Sequence, residues 1–317
     1  MPSSQSKYGL KDSSSRYPYP LERGTRRNES AVRLRKIMLD AHLDHTTIVQ
    51  HPIAWDGLTA RLVEEAGFPM VFLGGYAVSA SHGLADAGYL GFAEMVNKTV
   101  EVCRIVDVPV MVDADTGYGN EVNVWRTVQG YAKAGAAGIM IEDQVSPKRC
   151  GHTKDKQVVD FEEAVSRIRA AVAARNEGTD IFILARTDAH IISYDEAIKR
   201  AKAFFAEGAD AVAIEAITTV EEMKQSRRDL GPDVPSFINV IEGGKTPALS
   251  YNELAGMGYC SVAYPLTVLA ASIKAIRTSL AALHHKEKPP KTNMAFGDVC
   301  SAVGFQEYWD LSEKYVR

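Results

Sequence analysis

The sequence predicts a (β/α)8 barrel (TIM barrel), an α/β fold in which a closed parallel sheet is surrounded by helices. Apolar runs of strand length alternate with stretches of helical period along the chain, which is typical of repeated βα units and a parallel sheet. Eight such units close naturally into a barrel. No GxGxxG or GxxxxGK(S/T) phrase stands at a strand-to-helix junction, so the sequence does not favour an open, nucleotide-binding sheet.

The predicted strands are spaced so that a helix fits between each pair. Helical stretches such as GLTARLVEEAG and NVWRTVQGYAKAG lie between them, and several end at a glycine, where a helix C-cap favours a left-handed residue. The predicted strands are 47–50, 70–74, 109–113, 137–142, 181–186, 210–215, 236–241 and 259–263.

The two ends of the chain differ in pattern from the barrel. After the eighth strand come a helix over 265–284, a polar linker and a second helical piece around VGFQEYWDLSEKYV. We therefore expect a catalytic barrel over 31–284. The tail, residues 285–317, is expected to dock on its own barrel or on a neighbouring subunit. The first thirty residues are rich in Ser, Arg, Pro and Tyr, and we expect a loosely ordered arm over 1–30.

Composition indicates one large domain that acts on small molecules. A chain of 317 residues with 46% hydrophobic content can bury a full core. Its net charge of -4 supplies no broad cationic field for nucleic acid or anionic lipid. The four cysteines lack CxxC spacing, and no stretch reads as a secretory signal or a membrane span, so we expect a cytoplasmic protein without a zinc site or disulfide framework.

Polar residues stand at the ends of successive predicted strands. Because the carboxyl ends of parallel strands meet at one rim, this placement predicts an active site there. Asp113 and Asp115 follow VPVMV, Glu142 follows GIMI, Arg186 follows IFILA, Glu215 follows AVAI, and Asn239 and Glu242 lie in SFINVIE.

The phrase Asp113-Ala-Asp115-Thr-Gly-Tyr-Gly carries the first chemical signal. Carboxylates at alternate strand positions point to the same face and could hold one hard divalent cation, directly or through water. An Asp near a strand end can instead cap the next helix. Because Glu142 ends the next strand, metal binding is the favoured interpretation.

The segment from Glu142 to His152 carries the second signal. A thiol flanked by Lys, Arg and His is expected to have a depressed pKa and to exchange a proton with a substrate, which makes Cys150 the candidate acid. Cys103 and Cys260 lie in apolar periodic stretches and are expected to be inert. Three further histidines, His42, His45 and His51, are expected to be surface or capping residues.

The phrases DADTGYGN, EDQVSPKRCGH and ILARTDA, with GGYAVSASHGLAD upstream and NVIEGGKTP downstream, resemble the isocitrate lyase and phosphoenolpyruvate mutase superfamily over about residues 30 to 280. The resemblance implies a (β/α)8 barrel whose eighth helix is exchanged between subunits. It also implies a homotetramer built as a dimer of dimers.

The resemblance further implies a set of site residues and a cofactor. The loop 144–157 would close over the substrate, a small dicarboxylate, and Arg186 would grip a substrate carboxylate. A Mg²⁺ or Mn²⁺ ion would bind near Asp86, Asp113, Asp115 and Glu142. The implied catalytic residues are Cys150, Lys148, His152 and Arg186, and the implied substrate contacts are Gly74, Gly75, Tyr76, Asp86, Gly151, Arg186, Glu215 and Asn239.

These residues are consistent with cleavage of a carbon–carbon bond. The ion would polarise the oxygen on carbon 2, the adjacent bond would break to leave an enolate, and Cys150 would protonate that carbanion. Loop closure would exclude water and deliver the thiol. A barrel that binds a dicarboxylate without turnover is disfavoured, because it would not need the acid.

Departures from the superfamily's patterns narrow the substrate. Phosphonate-forming mutases carry no CGH phrase, and isocitrate lyases are longer and carry a Ser-Pro-Ser phrase that is missing from 236–247. GGYAVSA and EGGKTPALS are more similar to the oxaloacetate and dimethylmalate group. We therefore predict hydrolysis of oxaloacetate to oxalate and acetate, with cleavage of 2,3-dimethylmalate or 2-methylisocitrate as the alternative.

Overall fold

The computed structural model describes residues 25–285, 288 and 294–316. Most of the expected N-terminal arm, residues 1–30, lies outside the described residues. Helix α1 begins at Glu29, where the Asn28 side chain caps it by accepting hydrogen bonds from the N–H groups of Ser30 and Ala31.

Eight parallel strands form a closed barrel in chain order, and β1 pairs with both β2 and β8. The predicted (β/α)8 fold is confirmed. The strands are β1 Val49–Ala54, β2 Val71–Leu73, β3 Val110–Asp113, β4 Gly138–Glu142, β5 Phe182–Thr187, β6 Ala211–Ile214, β7 Ser236–Asn239 and β8 Ser261–Tyr264.

Helices cover the outside of the barrel, and two of them, α3 and α4, follow β2. The helices are α1 Glu29–Asp44, α2 Gly57–Glu65, α3 Gly75–Ser81, α4 Phe92–Cys103, α5 Glu121–Ala134, α6 Phe161–Glu177, α7 Tyr194–Glu207, α8 Val220–Leu230, α9 Tyr251–Gly256, α10 Thr267–His284, α11 Phe296–Ala302 and α12 Phe305–Tyr315.

The first strand departs most from its prediction. It was expected at 47–50 and spans Val49–Ala54 instead. The His51-Pro52 pair interrupts the apolar run and hides the strand, although Pro52 pairs in register with Tyr264. Proline lacks an N–H donor and usually marks a strand end or edge.

The histidine prediction was wrong for His51 and His42. His51 points into the barrel, is fully buried, and has Phe72 and Phe237 rings at centroid distances of 5.5 and 5.2 Å. It shares this inner face with Ile53, because alternate residues of a strand point to the same side. His42 is buried in the last turn of α1, whereas His45 caps that helix in a left-handed conformation.

Helix α1 closes the amino-terminal end of the barrel, opposite the predicted site. The buried Arg35 guanidinium donates to both oxygens of Asp180, at 2.9 and 2.8 Å, and its Nε donates to Asp210 at 3.0 Å. Asp210 also accepts from the Ile183 N–H at 2.8 Å. This ion cluster ties α1 to the start of β5 and β6.

The last helices pack less completely. No residue of α10 is buried, and its apolar side chains Ile273, Ile276, Leu280 and Leu283 are exposed. Part of the tail contacts its own barrel, where Arg61 of α2 pairs with Glu307 of α12 at 2.6 Å. Within the described part of the chain, no helix combines the length and apolarity needed to cross a membrane.

Candidate active site

A cavity opens at the carboxyl ends of the strands, where the site was predicted. It is lined by both polar and apolar side chains. Every predicted site residue except Asp115 and Glu242 lines it: Gly74, Gly75, Tyr76, Asp86, Asp113, Glu142, Lys148, Cys150, Gly151, His152, Arg186, Glu215 and Asn239. The same cavity is lined by Ile53, Phe72, Met140, Arg149, Ile241, Pro265 and Leu266.

The sequence pattern predicted that Asp113 and Asp115 both lie on a strand and point to the same face. Only Asp113 lies on β3. Asp113 ends β3, but Asp115 has a left-handed backbone with φ of 47°. Asp113 Oδ1 accepts from the Asp115 N–H at 3.0 Å, and its Oδ2 accepts from the Gly75 N–H at 3.3 Å. The turn brings Asp115 beside Asp113 through the loop and not through strand periodicity.

Lys148 lies among the four predicted metal carboxylates. Its Nζ is 2.5 Å from Asp86 Oδ1 and 2.9 Å from Asp115 Oδ1, and it is buried. Burial alone would lower the pKa of Lys148, but the surrounding carboxylates outweigh it and hold this pKa well above its usual range. The loop lysine therefore neutralises part of the acidic cluster.

The acidic cluster has unmet capacity for a cation. Burial raises the pKa of Asp115 to about 7, with Lys148 opposing the shift, and burial likewise raises the pKa of Glu142, with Arg186 opposing. Glu142 Oε1 is buried without a hydrogen-bond partner, and Asp115 Oδ1 has only the Lys148 ammonium, at 2.9 Å. Hard carboxylate oxygens of this kind suit Mg²⁺ or Mn²⁺.

The carboxylate oxygens of these residues are suitable ligands for a divalent cation. In this structure, however, Asp86 and Asp115 bind the Lys148 ammonium. Among residues 25–285, 288 and 294–316, no group of three His, Cys, Asp or Glu side chains is arranged to hold a metal ion. Binding of a cation would therefore require the Lys148 ammonium to give up part of its contact with Asp86 and Asp115.

Arg186 forms the cationic side of the cavity. Its Nε and Nη2 donate to the two oxygens of Asp188 at 2.8 and 3.1 Å. Its Nη1 lies 3.3 Å from Glu142, and its Nε lies 3.4 Å from Glu215. The guanidinium is buried, and its carboxylate neighbours hold the pKa of Arg186 well above its usual range despite the cost of burial.

Glu215 connects this cation to the loop. Its Oε2 accepts from the Asn239 amide at 2.8 Å, and its Oε1 lies 3.0 Å from His152 Nε2. Burial would raise the pKa of Glu215, but Arg186 and His152 together hold it well below its usual range. His152 Nδ1 accepts from the Lys245 N–H at 3.1 Å, which places the ring proton on Nε2, facing Glu215.

The prediction of a depressed thiol pKa was wrong. Burial of Cys150 raises its pKa above the ordinary value. The neighbouring cations are directed elsewhere: Lys148 contacts the acidic cluster, and the half-exposed Arg149 lies 3.7 Å from Asp155. Cys150 is therefore a protonated thiol near neutral pH, which suits a proton donor better than a nucleophile.

The loop packs closely on the cavity. A Cβ added to Gly151 would contact Arg186 Nη2 and would lie 2.6 Å from Glu215 Cγ. The side chain of Gln144 donates to Arg149 O at 2.9 Å and accepts from the Arg149 N–H at 3.0 Å. The Val145 N–H donates to Gln157 O at 2.9 Å, so backbone pairing joins the two ends of the loop.

Two implied backbone donors already have partners. The Gly74 N–H donates to Ala54 O at 3.2 Å, and the Gly75 N–H donates to Asp113. A Cβ on Gly74 would lie 2.5 Å from Ile53 Cγ2, which explains why glycine occupies that position. These glycines shape the wall of the cavity in this structure.

The sequence interpretation missed Asp188 and Lys156. Asp188 is fully buried and receives both Arg186 and the Lys156 ammonium, whose Nζ lies 2.6 Å from Asp188 Oδ1. An Asp two residues after Arg186 at the same strand end was an available signal. Lys156 gave none, because a lysine in a polar loop is usually solvated.

A family model described as phosphoenolpyruvate phosphomutase matches residues 39–284. The chain belongs to the phosphoenolpyruvate mutase and isocitrate lyase superfamily. It is 37% identical over 293 residues to 2,3-dimethylmalate lyase of Eubacterium barkeri, covering 90% of this chain and 98% of that one. It is 38% identical over 251 residues to 2-methylisocitrate lyase of Aeropyrum pernix, covering 79% and 80%.

Solved structures of superfamily members share the fold. Oxaloacetate acetylhydrolase in complex with 3,3-difluorooxalacetate has a TM-score of 0.83 and 30% identity, with 90% of this chain and 96% of that chain covered. The structure of 2,3-dimethylmalate lyase has a TM-score of 0.83 and 33% identity, with 90% of this chain and 95% of that chain covered. Phosphonopyruvate hydrolase with oxalate and Mg²⁺ has a TM-score of 0.77 and 26% identity, with coverages of 89% and 99%. The chain is thus an enzyme of this superfamily, and oxaloacetate as its substrate stays a prediction.

Proposed function

We propose that the protein is a divalent-cation-dependent lyase that cleaves the C2–C3 bond of a malate-type 2-hydroxydicarboxylate carrying methyl groups, such as 2,3-dimethylmalate. The observation that carries this proposal is the half-buried Cys150 thiol, whose pKa is raised by burial, on the loop 144–157 at a cavity lined by both charged and apolar side chains. Cleavage of 2,3-dimethylmalate would give pyruvate and propionate.

The apolar lining residues of the cavity favour a methylated substrate. None of their side chains can form a hydrogen bond with a hydrated 2-oxo group, whereas methyl groups on carbons 2 and 3 would bury apolar surface against them. One methyl is worth about 1 to 3 kcal/mol of discrimination. These side chains are Ile53, Phe72, Met140, Ile241, Pro265 and Leu266. The similarity to 2,3-dimethylmalate lyase over nearly its whole length supports the same choice.

The charged lining residues would bind and polarise the substrate. Arg186 would pair with a substrate carboxylate, and Asp86, Asp113, Asp115 and Glu142 are the residues that would hold the cation. When bound, a divalent cation supplies the positive charge that polarises the oxygen on carbon 2. The Mg²⁺ in the phosphonopyruvate hydrolase structure supports this choice of ion.

Cys150 would complete the reaction. As the C2–C3 bond breaks, the C2 hydroxyl gives its proton to a carboxylate of the acidic cluster, Glu142 or Asp115, and becomes a carbonyl, and carbon 3 keeps the electron pair as an enolate. The Cys150 Sγ–H then donates its proton to carbon 3. Closure of the loop excludes water, so the thiol and not solvent protonates the carbanion.

Oxaloacetate hydrolysis is the second candidate. The TM-score to oxaloacetate acetylhydrolase equals that to 2,3-dimethylmalate lyase, so backbone similarity favours neither. A steady-state comparison of 2,3-dimethylmalate, 2-methylisocitrate and oxaloacetate with Mg²⁺ or Mn²⁺, with products identified by NMR, separates the candidates. Oxalate and acetate formed at the highest kcat/KM would overturn the proposed lyase.

We also propose that α10 packs against a second copy of the chain, as an exchanged helix within a homotetramer. Its exposed side chains Ile273, Ile276 and Leu280 would be covered in that way, and an apolar groove lies nearby between Leu62, Phe68, Val268 and other residues. Light scattering coupled to size exclusion tests this: Ile276→Glu should dissociate the assembly. A monomeric wild type would contradict it.

A further inference from the structure

Lys156, at the carboxyl end of the loop, is buried in the barrel and not in solvent. Only 2% of its side chain is exposed, and its Nζ lies 2.6 Å from Asp188 Oδ1. Burying a lysine is costly unless a carboxylate compensates its charge. Neighbouring Lys154 is exposed, so burial is particular to Lys156 and not a property of the loop's lysines.

The Asp188 carboxylate contacts both Lys156 and Arg186, and it therefore connects the two cations. Its two oxygens accept from Arg186 Nε and Nη2, and its N–H donates to Asp143 Oδ1 at 2.8 Å. Asp143 is itself paired with Arg200 at 3.0 Å. One carboxylate therefore fixes the orientation of the guanidinium and the position of the loop's last residues.

The charge balance gives Lys156 a second effect. Three carboxylates contact Arg186, those of Asp188, Glu142 and Glu215, and together they outweigh the charge of the guanidinium. The Lys156 ammonium on Asp188 offsets one of these negative charges, so the guanidinium attracts a substrate carboxylate more strongly than it would without Lys156. Charge in a buried site is poorly screened, so this difference acts directly on a bound anion.

We propose that Lys156 is a positioning residue that, through Asp188, holds the Arg186 guanidinium ready for a substrate carboxylate and couples it to the loop that carries Cys150. This inference rests on the proposed function, in which Arg186 binds the substrate. Lys156 does not touch the reacting atoms. Its loss should weaken anion binding more than it slows the proton transfer by Cys150.

The test compares Lys156→Met with Lys156→Arg and with the matched control Lys154→Met. For the substrate that turns over best, K156M should raise KM roughly tenfold or more, with kcat within about threefold of wild type. K156R should restore most of the loss, and K154M should match wild type. If K156M does not fold by circular dichroism, Lys156→Gln, which keeps a donor to Asp188 but loses the positive charge, should raise KM by a smaller factor.

Oxalate binding provides a readout that does not depend on turnover. Isothermal titration with oxalate and Mg²⁺ should show weaker binding by K156M than by wild type or K154M. Oxalate should also protect the loop from trypsin, which can cut at Lys148, Arg149 and Lys154, in wild type and less so in K156M. Equal oxalate affinity and equal KM for K156M and wild type would overturn this inference. A wild type that neither binds oxalate nor cleaves a dicarboxylate would instead overturn the proposed function.

Discussion

The Lys148 ammonium lies 2.5 Å from the Asp86 carboxylate, joining the loop that carries Cys150 to the acidic side of the cavity. Both side chains are nearly fully buried. The same ammonium also contacts Asp115, so one loop residue neutralises part of the charge of the carboxylates that are proposed to hold a cation. Loop position and the charge of the acidic cluster are therefore linked.

A divalent cation should stabilise the fold through this cluster. Because Glu142 Oε1 is buried without a hydrogen-bond partner and Asp115 Oδ1 has only the Lys148 ammonium, Mg²⁺ should raise Tm, by an amount that corresponds to about 2.7 kcal/mol at one hundred times Kd. Glu142→Gln should lose most of the shift, whereas the exposed control Glu313→Gln should retain it. If neither Mg²⁺ nor Mn²⁺ changes the Tm of the wild type, the proposed cation site is wrong.

Closure of the loop should not tolerate a side chain at position 151. Gly151→Ala places a Cβ against Arg186 and Glu215, so we expect kcat/KM to fall by about 100-fold while Tm changes little. Gly297→Ala, where a Cβ meets no atom within 4 Å, is the matched control. Wild-type kinetics for G151A would show that the loop need not adopt this position.

The ion cluster below the barrel should contribute to stability and not to catalysis. Arg35→Met leaves Asp180 and Asp210 buried without this cation, and losing one partner of a buried pair costs about 3 to 5 kcal/mol. Lys36→Met, which breaks an exposed pair with Asp40 in the same helix, should cost less than about 1 kcal/mol. Urea unfolding measures the free energy of unfolding of both variants. A loss for R35M as small as that for K36M would contradict a stabilising role of the cluster.

Stability should fall in acid because of His51. Burial lowers the pKa of His51 from an ordinary 6.5 to about 3, so below pH 6.5 the unfolded chain binds a proton that the folded chain does not. The contribution of His51 to the free energy of unfolding is fully present above pH 6.5. It falls by about 1.4 kcal/mol per pH unit between pH 6.5 and 3. His51→Phe should flatten that slope, and the exposed control His285→Gln should not. An unchanged slope in H51F would be inconsistent with a neutral buried ring.

The sequence was sufficient for the fold and for the rim of the site. Alternating apolar runs and helical stretches indicate the barrel, and parallel strands bring their carboxyl ends together whatever the loops do. The sequence alone therefore predicts that Arg186, Glu215 and Asn239 lie in one cavity. The first strand was misplaced because His51 and Pro52 look like interruptions, whereas both lie within β1.

The remainder depends on loop conformation and burial, which short-range patterns do not encode. The left-handed backbone at Asp115 and the burial of Lys156 on Asp188 arise only once the loops are folded. The pKa of Cys150 was predicted in the wrong direction because the cations beside it in sequence point away from it in space. Adjacency in sequence is a poor guide to electrostatic contact in a loop.

The most direct test of the account is the cleavage of 2,3-dimethylmalate in D₂O by wild type and Cys150→Ser, followed by NMR. Wild type should release pyruvate and propionate carrying a single deuterium at carbon 2, delivered by the exchanged thiol. C150S should keep its Mg²⁺-dependent rise in Tm and lose roughly 100-fold or more in kcat, the usual contribution of a positioned acid. Wild-type turnover by C150S, or no cleavage of the methylated substrate by wild type, would contradict the central claim.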